Sequence, residues 1–262
     1  MTQDRATQTD PSENHAVRSF FDGHSVDYTK FFDSQVRTGA AVVFQRRAEL
    51  LIEMLQPERS AGLRLLDLAA GSGEVTRAAV EACGSRDLVL NDFSAGMLEI
   101  CKRNFADLEQ AGGQIAWSNR DVFELGESLQ PESFDVVLCM GLIAHTGRLD
   151  DILSLAHRVL KPGGVMMLQS SLADHPGDYL VKSYARSRFY RKLYMVSMFR
   201  KAEILSAAAR GGFRTEQVRR FAFGFPFGDR ICSRLNHAVE KRFAARMETR
   251  GSEALFKFRK DG

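Results

Sequence analysis

The stretch that decides the fold is LLDLAAGSGEVTR, residues 65–77. It is apolar around Asp67, as in a short buried strand, and helical spacing begins after Gly73. Gly71 and Gly73 stand at the junction, and because glycine has no Cβ, the backbone can turn tightly there and approach a ligand closely. The stretch therefore predicts a strand, a ligand-contacting turn and a helix.

The rest of the chain continues this alternation of strand and helix. Strands are predicted at Asp87–Leu90, Ile115–Ser118, Phe134–Met140, Val165–Gln169, Phe213–Phe223 and Glu253–Lys260. Helices are predicted at Ala41–Leu55, Gly73–Ala82, Ser94–Leu108, Leu149–Leu160, Lys201–Arg210 and Asp229–Arg246, and Lys161–Gly164 is interpreted as a turn. Strands that are apolar throughout indicate a parallel sheet covered on both faces, which right-handed crossovers make a doubly wound α/β layer.

Composition narrows the class of protein. The 262 residues are 44% hydrophobic and 26% charged, which excludes a disordered or a collagen-like chain. No apolar run reaches the ~18 residues of a membrane span, and the polar first fifteen residues do not resemble a signal peptide. The four cysteines (Cys83, Cys101, Cys139 and Cys232) are far apart and are interpreted as free thiols in a reducing cytosol. We therefore expect a cytoplasmic, globular protein.

Charge is distributed unevenly along the chain. Residues 1–180 contain 16 Lys and Arg against 26 Asp and Glu, whereas residues 181–262 contain 20 against 7. Such an imbalance indicates an anionic partner, or else a basic region that complements an acidic core. The basic, aromatic segment at 179–200, with Lys182, Arg186, Arg188, Arg191 and Lys192, could therefore cover an anionic substrate, contact a membrane surface, or form a charged outer helix.

Three successive strand ends carry groups suited to an adenosine cofactor. Ligands of doubly wound sheets bind at the carboxyl ends of the strands. Asp92 follows the second strand about twenty residues after the glycine turn, where a carboxylate can accept both ribose hydroxyl groups. Asp121 follows the third strand and could meet the exocyclic amine of an adenine. Thr76 stands where a dinucleotide-binding motif would require a third glycine, so a nicotinamide-dependent oxidoreductase is the less favoured alternative.

The motifs together resemble those of the class I S-adenosylmethionine-dependent methyltransferases, in their small-molecule branch. The resemblance rests on LLDLAAGSGEVTR, LNDFSAGML (90–98), Arg120-Asp121, FDVVLCMGLIAH (134–145) and RVLKPGG (158–164), and it covers roughly residues 60–171. It implies a Rossmann-like, seven-stranded, mostly parallel sheet whose last strand is antiparallel. Ala69 departs from the family, many members of which have a glycine there, and is tolerable if its φ stays negative.

The resemblance also assigns residues to the cofactor. The implied set is Asp67, Ala69, Gly71 and Gly73 at the methionine end, Asp92, Phe93 and Met97 at the ribose, Asp121 and Val122 at the adenine, and Met140 and Gly141 beneath the sulfonium. A single domain over 1–262 is expected, comprising a tail at 1–14, an N-terminal helical lid at 15–57, a cofactor-binding core at 60–171, and a basic, aromatic cap at 172–262 that completes the sheet.

Methyl transfer requires alignment of the acceptor and exclusion of water, and it requires a base only where the acceptor starts protonated. His145, after the fourth strand, is the leading candidate base, with a purely structural role as its alternative; His175 ranks below it. In similar enzymes an aromatic residue of the N-terminal helix packs over the methyl group, and Tyr28, then Phe20, is the candidate here. No cluster has the spacing of metal ligands, so no metal is expected.

The sequence thus predicts a methyltransferase acting on an O, N or C nucleophile of a small metabolite, which could be anionic or tethered to a carrier. Methylation of RNA or of a carrier protein is the first alternative, although no nucleic-acid motif is present. A non-catalytic adenosyl-binding protein is a further alternative. The chain is expected to be a monomer or a homodimer.

Overall fold

The structure is a computed structural model, and it describes residues 18–19, 21–23, 39–174, 197–222, 234–235, 238–239 and 241–262. In these residues the strands are β1 (Arg64–Asp67), β2 (Asp87–Asn91), β3 (Gln114–Ser118), β4 (Phe134–Met140), β5 (Leu160–Ser171), β6 (Phe213–Phe221) and β7 (Glu253–Lys260). They form a seven-stranded sheet in the order β3-β2-β1-β4-β5-β7-β6, in which β7 pairs antiparallel with both β5 and β6. The predicted Rossmann-like fold with an antiparallel last strand is confirmed.

Helices cover both faces of the sheet. They are α1 (Gly39–Leu55), α2 (Glu74–Cys83), α3 (Ala95–Gln110), α4 (Val122–Ser128), α5 (Leu142–Thr146), α6 (Leu149–Val159), α7 (Lys201–Arg210) and α8 (Ala244–Arg250). Side chains of α1, α2 and α3 pack on one face, and those of α4 to α7 pack on the other. Neighbouring strand residues divide between the faces: Leu65 belongs to the first core and Leu66 to the second.

Several elements differ from the sequence-based prediction. Helices α4 and α5 were missed because seven and five residues are too few to show a helical period. Lys161–Gly164, interpreted as a turn, lies within β5, where the pairing with β4 shifts register. Much of the helix predicted at Asp229–Arg246 falls outside the described residues, which place a helix at Ala244–Arg250.

The basic residues of β7 pair with acidic residues elsewhere in the chain. The buried Lys257 ammonium lies 2.5 Å from Glu58, and Arg259 lies 2.6 Å from the same carboxylate. Lys260 contacts Glu132 at 3.1 Å. Pairs with exposed members stabilise little, whereas the buried Lys257 would be left as an uncompensated charge if its partner were removed. This part of the charge asymmetry therefore matches the alternative in which a basic region complements an acidic core.

The start of β7 depends on the absence of a side chain at Gly251. A Cβ there would lie 2.1 Å from the carbonyl oxygen of Phe221, which belongs to the backbone and cannot turn aside. We expect Gly251→Ala to lower the free energy of unfolding by about 1–3 kcal/mol, measured by urea denaturation, because overpacking forces the backbone to shift. Gly262→Ala, where nothing lies within 4 Å, is the matched control. Equal stability of the two variants would contradict this packing.

Candidate active site

The loop after β1 folds around a buried carboxylate. Asp67 accepts a hydrogen bond from the backbone N–H of Ala69 at 3.0 Å and another from the Thr76 hydroxyl at 2.7 Å. Burial raises the pKa of Asp67 to about 7, against the lowering effect of both donors. Thr76, which replaces the third glycine of a dinucleotide motif, thus holds this carboxylate. Ala69 keeps a negative φ and is accommodated in the turn.

The two glycines of this loop have different roles. Gly71 has a φ of +57° and lines the cleft described below. Gly73 has a φ of +93°, and a Cβ on it would lie 2.7 Å from the sulfur of Cys101. It therefore lets α2 approach α3, and it is not among the residues that line the cleft; its contact with the methionine end of the cofactor stays a prediction.

The Asp92 carboxylate joins the loops that follow β1 and β2. One oxygen accepts from the backbone N–H of Gly71 at 2.7 Å, and the other accepts from the N–H of Ser94 at 2.8 Å. Burial raises the pKa of Asp92 to about 6, opposed by these two backbone donors. An ionised carboxylate has about four acceptor positions, so Asp92 retains capacity for ligand donors.

The loop after β3 is attached to the loop after β1 through Asn91. Asn91 donates to the carbonyl oxygens of Leu68 and Arg120, at 3.1 Å in each case. Asp121 caps α4 by accepting from the N–H of Phe123 at 2.8 Å, and the buried Val122 follows it. The loops after β1, β2 and β3 are thus held together by Asn91, the last residue of β2, and by Asp92, which follows it.

The loop after β4 carries His145 on the short helix α5. Its imidazole packs edge-on against Phe21, with ring centroids 5.2 Å apart. Burial lowers the pKa of His145 to about 4, so the ring is neutral at pH 7 and is a weaker base than an exposed histidine.

These loops enclose one cleft of about 260 Å³. The predicted residues that line it are Ala69, Gly71, Asp92, Phe93, Met97, Asp121, Val122, Met140, Gly141 and His145. Asp67 lines a smaller cavity next to it, together with Gly71 and Arg47. Three candidates, Phe20, Tyr28 and His175, lie outside the described residues.

One end of the cleft, which β5 and α1 form, was not predicted from the sequence. Gln169 and Ser171 of β5 line it, and both side chains donate hydrogen bonds to the carboxylate of Glu253 on β7. The signal was the change from apolar to polar residues at the end of β5. Arg47 of α1 also lines the cleft, and among the described residues its buried Nε has no hydrogen-bond partner. Nothing in the helical pattern of α1 distinguishes Arg47 from the neighbouring Arg46.

One part of the chain matches a known protein family. Residues 65–164 match a family model described as a methyltransferase domain. These residues form a class I methyltransferase domain. The match confirms the predicted family for this part of the chain and, with it, the predicted cofactor, S-adenosylmethionine.

Curated relatives of this methyltransferase domain include two named ubiquinone/menaquinone biosynthesis C-methyltransferases. The protein from Rhizobium leguminosarum bv. trifolii is 32% identical over 130 residues, 49% of this chain and 49% of that protein. The protein from Dinoroseobacter shibae is 32% identical over 137 residues, 52% of each. The chain thus spans about half the length of the curated relatives it matches.

Solved structures extend the likeness in fold to nearly the whole chain. Magnesium protoporphyrin IX methyltransferase from Synechocystis PCC 6803, solved with S-adenosylhomocysteine, gives a TM-score of 0.66 at 14% identity, over 95% of this chain and 100% of that one. A phosphoethanolamine methyltransferase from Haemonchus contortus, solved with phosphomonomethylethanolamine and S-adenosylhomocysteine, gives 0.65 at 17%, over 94% and 61%. The [4+2]-cyclase SpnF gives 0.61 at 16%, over 94% and 95%. The fold of the methyltransferase domain therefore also occurs in a protein described as a cyclase.

Within the described ranges, no helix combines the length and apolarity needed to cross a bilayer. Nor do those ranges contain a group of three or more His, Cys, Asp or Glu side chains that could bind a metal ion.

The environment of His145 predicts an unusual titration. We expect its imidazole to titrate with a pKa near 4 in an NMR pH series, because burial disfavours the charged ring. It then stays neutral down to about pH 5, whereas a histidine in the unfolded chain is half protonated near pH 6.5. A measured value near 6.5 in the folded protein would contradict the buried placement of the ring.

Proposed function

We propose that the protein transfers a methyl group from S-adenosylmethionine to a small molecule bound in this cleft. The observation that carries the proposal is the convergence of four loops of the methyltransferase domain on a single concave site. Ten of the residues predicted for cofactor binding and catalysis line that site. A cleft of this kind suits a small acceptor better than a folded macromolecule.

The residues present fit the donor and acceptor groups of the cofactor. Asp92 would accept hydrogen bonds from the ribose hydroxyls at its remaining positions, and Asp121 would accept from the adenine amine beside Val122. Met97, which is buried, and Phe93 would pack against the adenosine. The Arg18 guanidinium covers the ring of Phe93 at 4.0 Å from its centroid and supports that side chain from outside.

Arg47 fits the carboxylate at the amino-acid end of the cofactor. It lines both the cleft and the smaller cavity, beside Gly71 and Asp67. Its guanidinium packs over Phe44, 4.7 Å from the ring centroid, and its charge also acts on the buried Glu253 carboxyl group. A cation held in this way at the methionine end favours a carboxylate, which guanidinium groups bind in a bidentate manner.

The chemistry supplied by bound S-adenosylmethionine is an activated methyl group, whose bond to sulfur breaks as its bond to the acceptor forms, leaving S-adenosylhomocysteine. The protein aligns the acceptor and excludes water. His145 is proposed as the group that takes the acceptor's proton, since its neutral ring faces the cleft beside Met140 and Gly141. Tyr28 is proposed to cover the methyl group; this role rests on the family resemblance alone.

The acceptor is proposed to be a small metabolite methylated on O, N or C, either free or tethered to a carrier. Because the fold also occurs in a protein described as a cyclase, methyl transfer must be measured directly. The test is transfer of labelled methyl from S-adenosylmethionine to a panel of small metabolites, run beside RNA and carrier proteins. Binding of S-adenosylhomocysteine by calorimetry is the first requirement, and its absence would refute the proposal.

The role of Asp92 can be tested against an acid at the other end of the same strand. We expect Asp92→Ala to weaken binding of S-adenosylhomocysteine at least about tenfold, because each charge-assisted hydrogen bond contributes ~1.5–3 kcal/mol. Asp87→Ala, at the amino end of β2, should leave the affinity unchanged. Calorimetry measures both, with circular dichroism as the check on folding. Equal affinities would rule out the ribose assignment.

The role of Arg47 can be tested by truncating the ligand as well as the protein. Arg47→Gln should weaken S-adenosylhomocysteine about tenfold and leave its decarboxylated analogue unaffected, since only the former offers a carboxylate. Arg46→Gln is the matched control, because Arg46 pairs with Glu49 at 2.9 Å on the outer side of α1. If Arg47→Gln weakens both ligands equally, the residue does not bind the carboxylate.

A further inference from the structure

Gln169 places an unpaired oxygen at the end of the cleft formed by β5. The side chain is 2% exposed, and it lines the cleft. Its amide oxygen, Oε1, is fully buried and has no hydrogen-bond partner among the described residues. Buried amide oxygens in folded proteins are nearly always paired, so an unpaired one that faces a cleft indicates a missing donor.

The orientation of this amide is fixed from behind. Its nitrogen donates to the Glu253 carboxylate, which also accepts from the Ser171 hydroxyl at 2.6 Å. Because the amide nitrogen faces Glu253, Oε1 faces the opposite way. Burial raises the pKa of the Glu253 carboxyl group, and the charge of Arg47 and the hydrogen bonds from Ser171 and Gln169 oppose that rise.

Gly141 lies next to this oxygen and lines the same cleft. A Cβ at this position would lie 3.5 Å from Oε1, in ordinary van der Waals contact. Gly141 follows β4 and is proposed to lie beneath the sulfonium. Oε1 therefore lies beside the region where the methyl group would be transferred.

On this geometry we infer that the methyl acceptor carries an O–H or N–H group that donates a hydrogen bond to Oε1 of Gln169. This inference rests on the proposed function and narrows it to acceptors with a hydroxyl or amino group at or beside the methylated atom. Gln169 is a positioning and specificity-determining residue, and Glu253 and Ser171 fix its amide.

The inference can be tested with cofactor analogues, before any acceptor is identified. Two nitrogen analogues of the cofactor, in which a 2-hydroxyethyl or an n-propyl group replaces the transferred methyl, extend a chain of equal length into the acceptor region. We expect the wild-type protein to bind the hydroxyethyl probe about tenfold more tightly than the propyl probe, because only the former can donate to Oε1. Calorimetry measures both affinities, with S-adenosylhomocysteine as the reference ligand.

Variants separate this inference from other roles of Gln169. Gln169→Met should reduce the preference to about onefold while S-adenosylhomocysteine affinity stays within about twofold, since thioether sulfur is a weak acceptor. Ser118→Ala removes another buried, unpaired oxygen that does not line the cleft, and should keep the full preference.

Three outcomes would overturn the inference: no preference in the wild type, a preference retained in Gln169→Met, or an equal loss of S-adenosylhomocysteine in that variant. If Gln169→Met does not fold, the wild-type comparison decides alone. Failure of the wild type to bind S-adenosylhomocysteine at all refutes the proposed function instead.

Discussion

The site depends on the two hydrogen bonds that the Asp92 carboxylate accepts from backbone N–H groups. One fixes the glycine turn after β1 and the other fixes the start of α3, so two loops from different strands share one anchor. Asn91, the residue before it, attaches the loops after β1 and β3 through Leu68 and Arg120. Because these contacts all originate at the end of β2, the side of the cleft that is proposed to hold adenosine forms as one unit with the sheet.

The parts of the site that the sequence could predict are those that follow from local rules. Strand ends of a parallel sheet meet at one edge, so Gly71, Asp92 and Asp121 could be placed together from their spacing alone. For Gly73 the sequence could not show the packing role, because a glycine after a strand serves ligand approach or close packing, and the contact with Cys101 on α3 is visible only in the structure.

The end of the cleft at Gln169 could not be predicted, because it depends on pairing between distant segments. Gln169 and Glu253 come together only through the antiparallel register of β5 and β7, in which Ser171 lies opposite Glu253. A polar residue at a strand end is by itself ambiguous. The role proposed for Gln169 follows from a carboxylate that accepts from its nitrogen, and from a glycine on another loop that lies beside its oxygen.

The carboxylates that build the site oppose folding at neutral pH. Burial raises the pKa of Asp67 to about 7 and of Asp92 to about 6, from a usual value near 3.8. Between about pH 4 and pH 7 the folded state binds more protons than the unfolded chain. The stability that these two groups contribute therefore falls as the pH rises through this range. The fold therefore retains ionisable acids where burial makes them costly. That arrangement makes physical sense if the ligand of this cleft carries hydroxyl donors and positive charge, because both stabilise the ionised forms that burial disfavours.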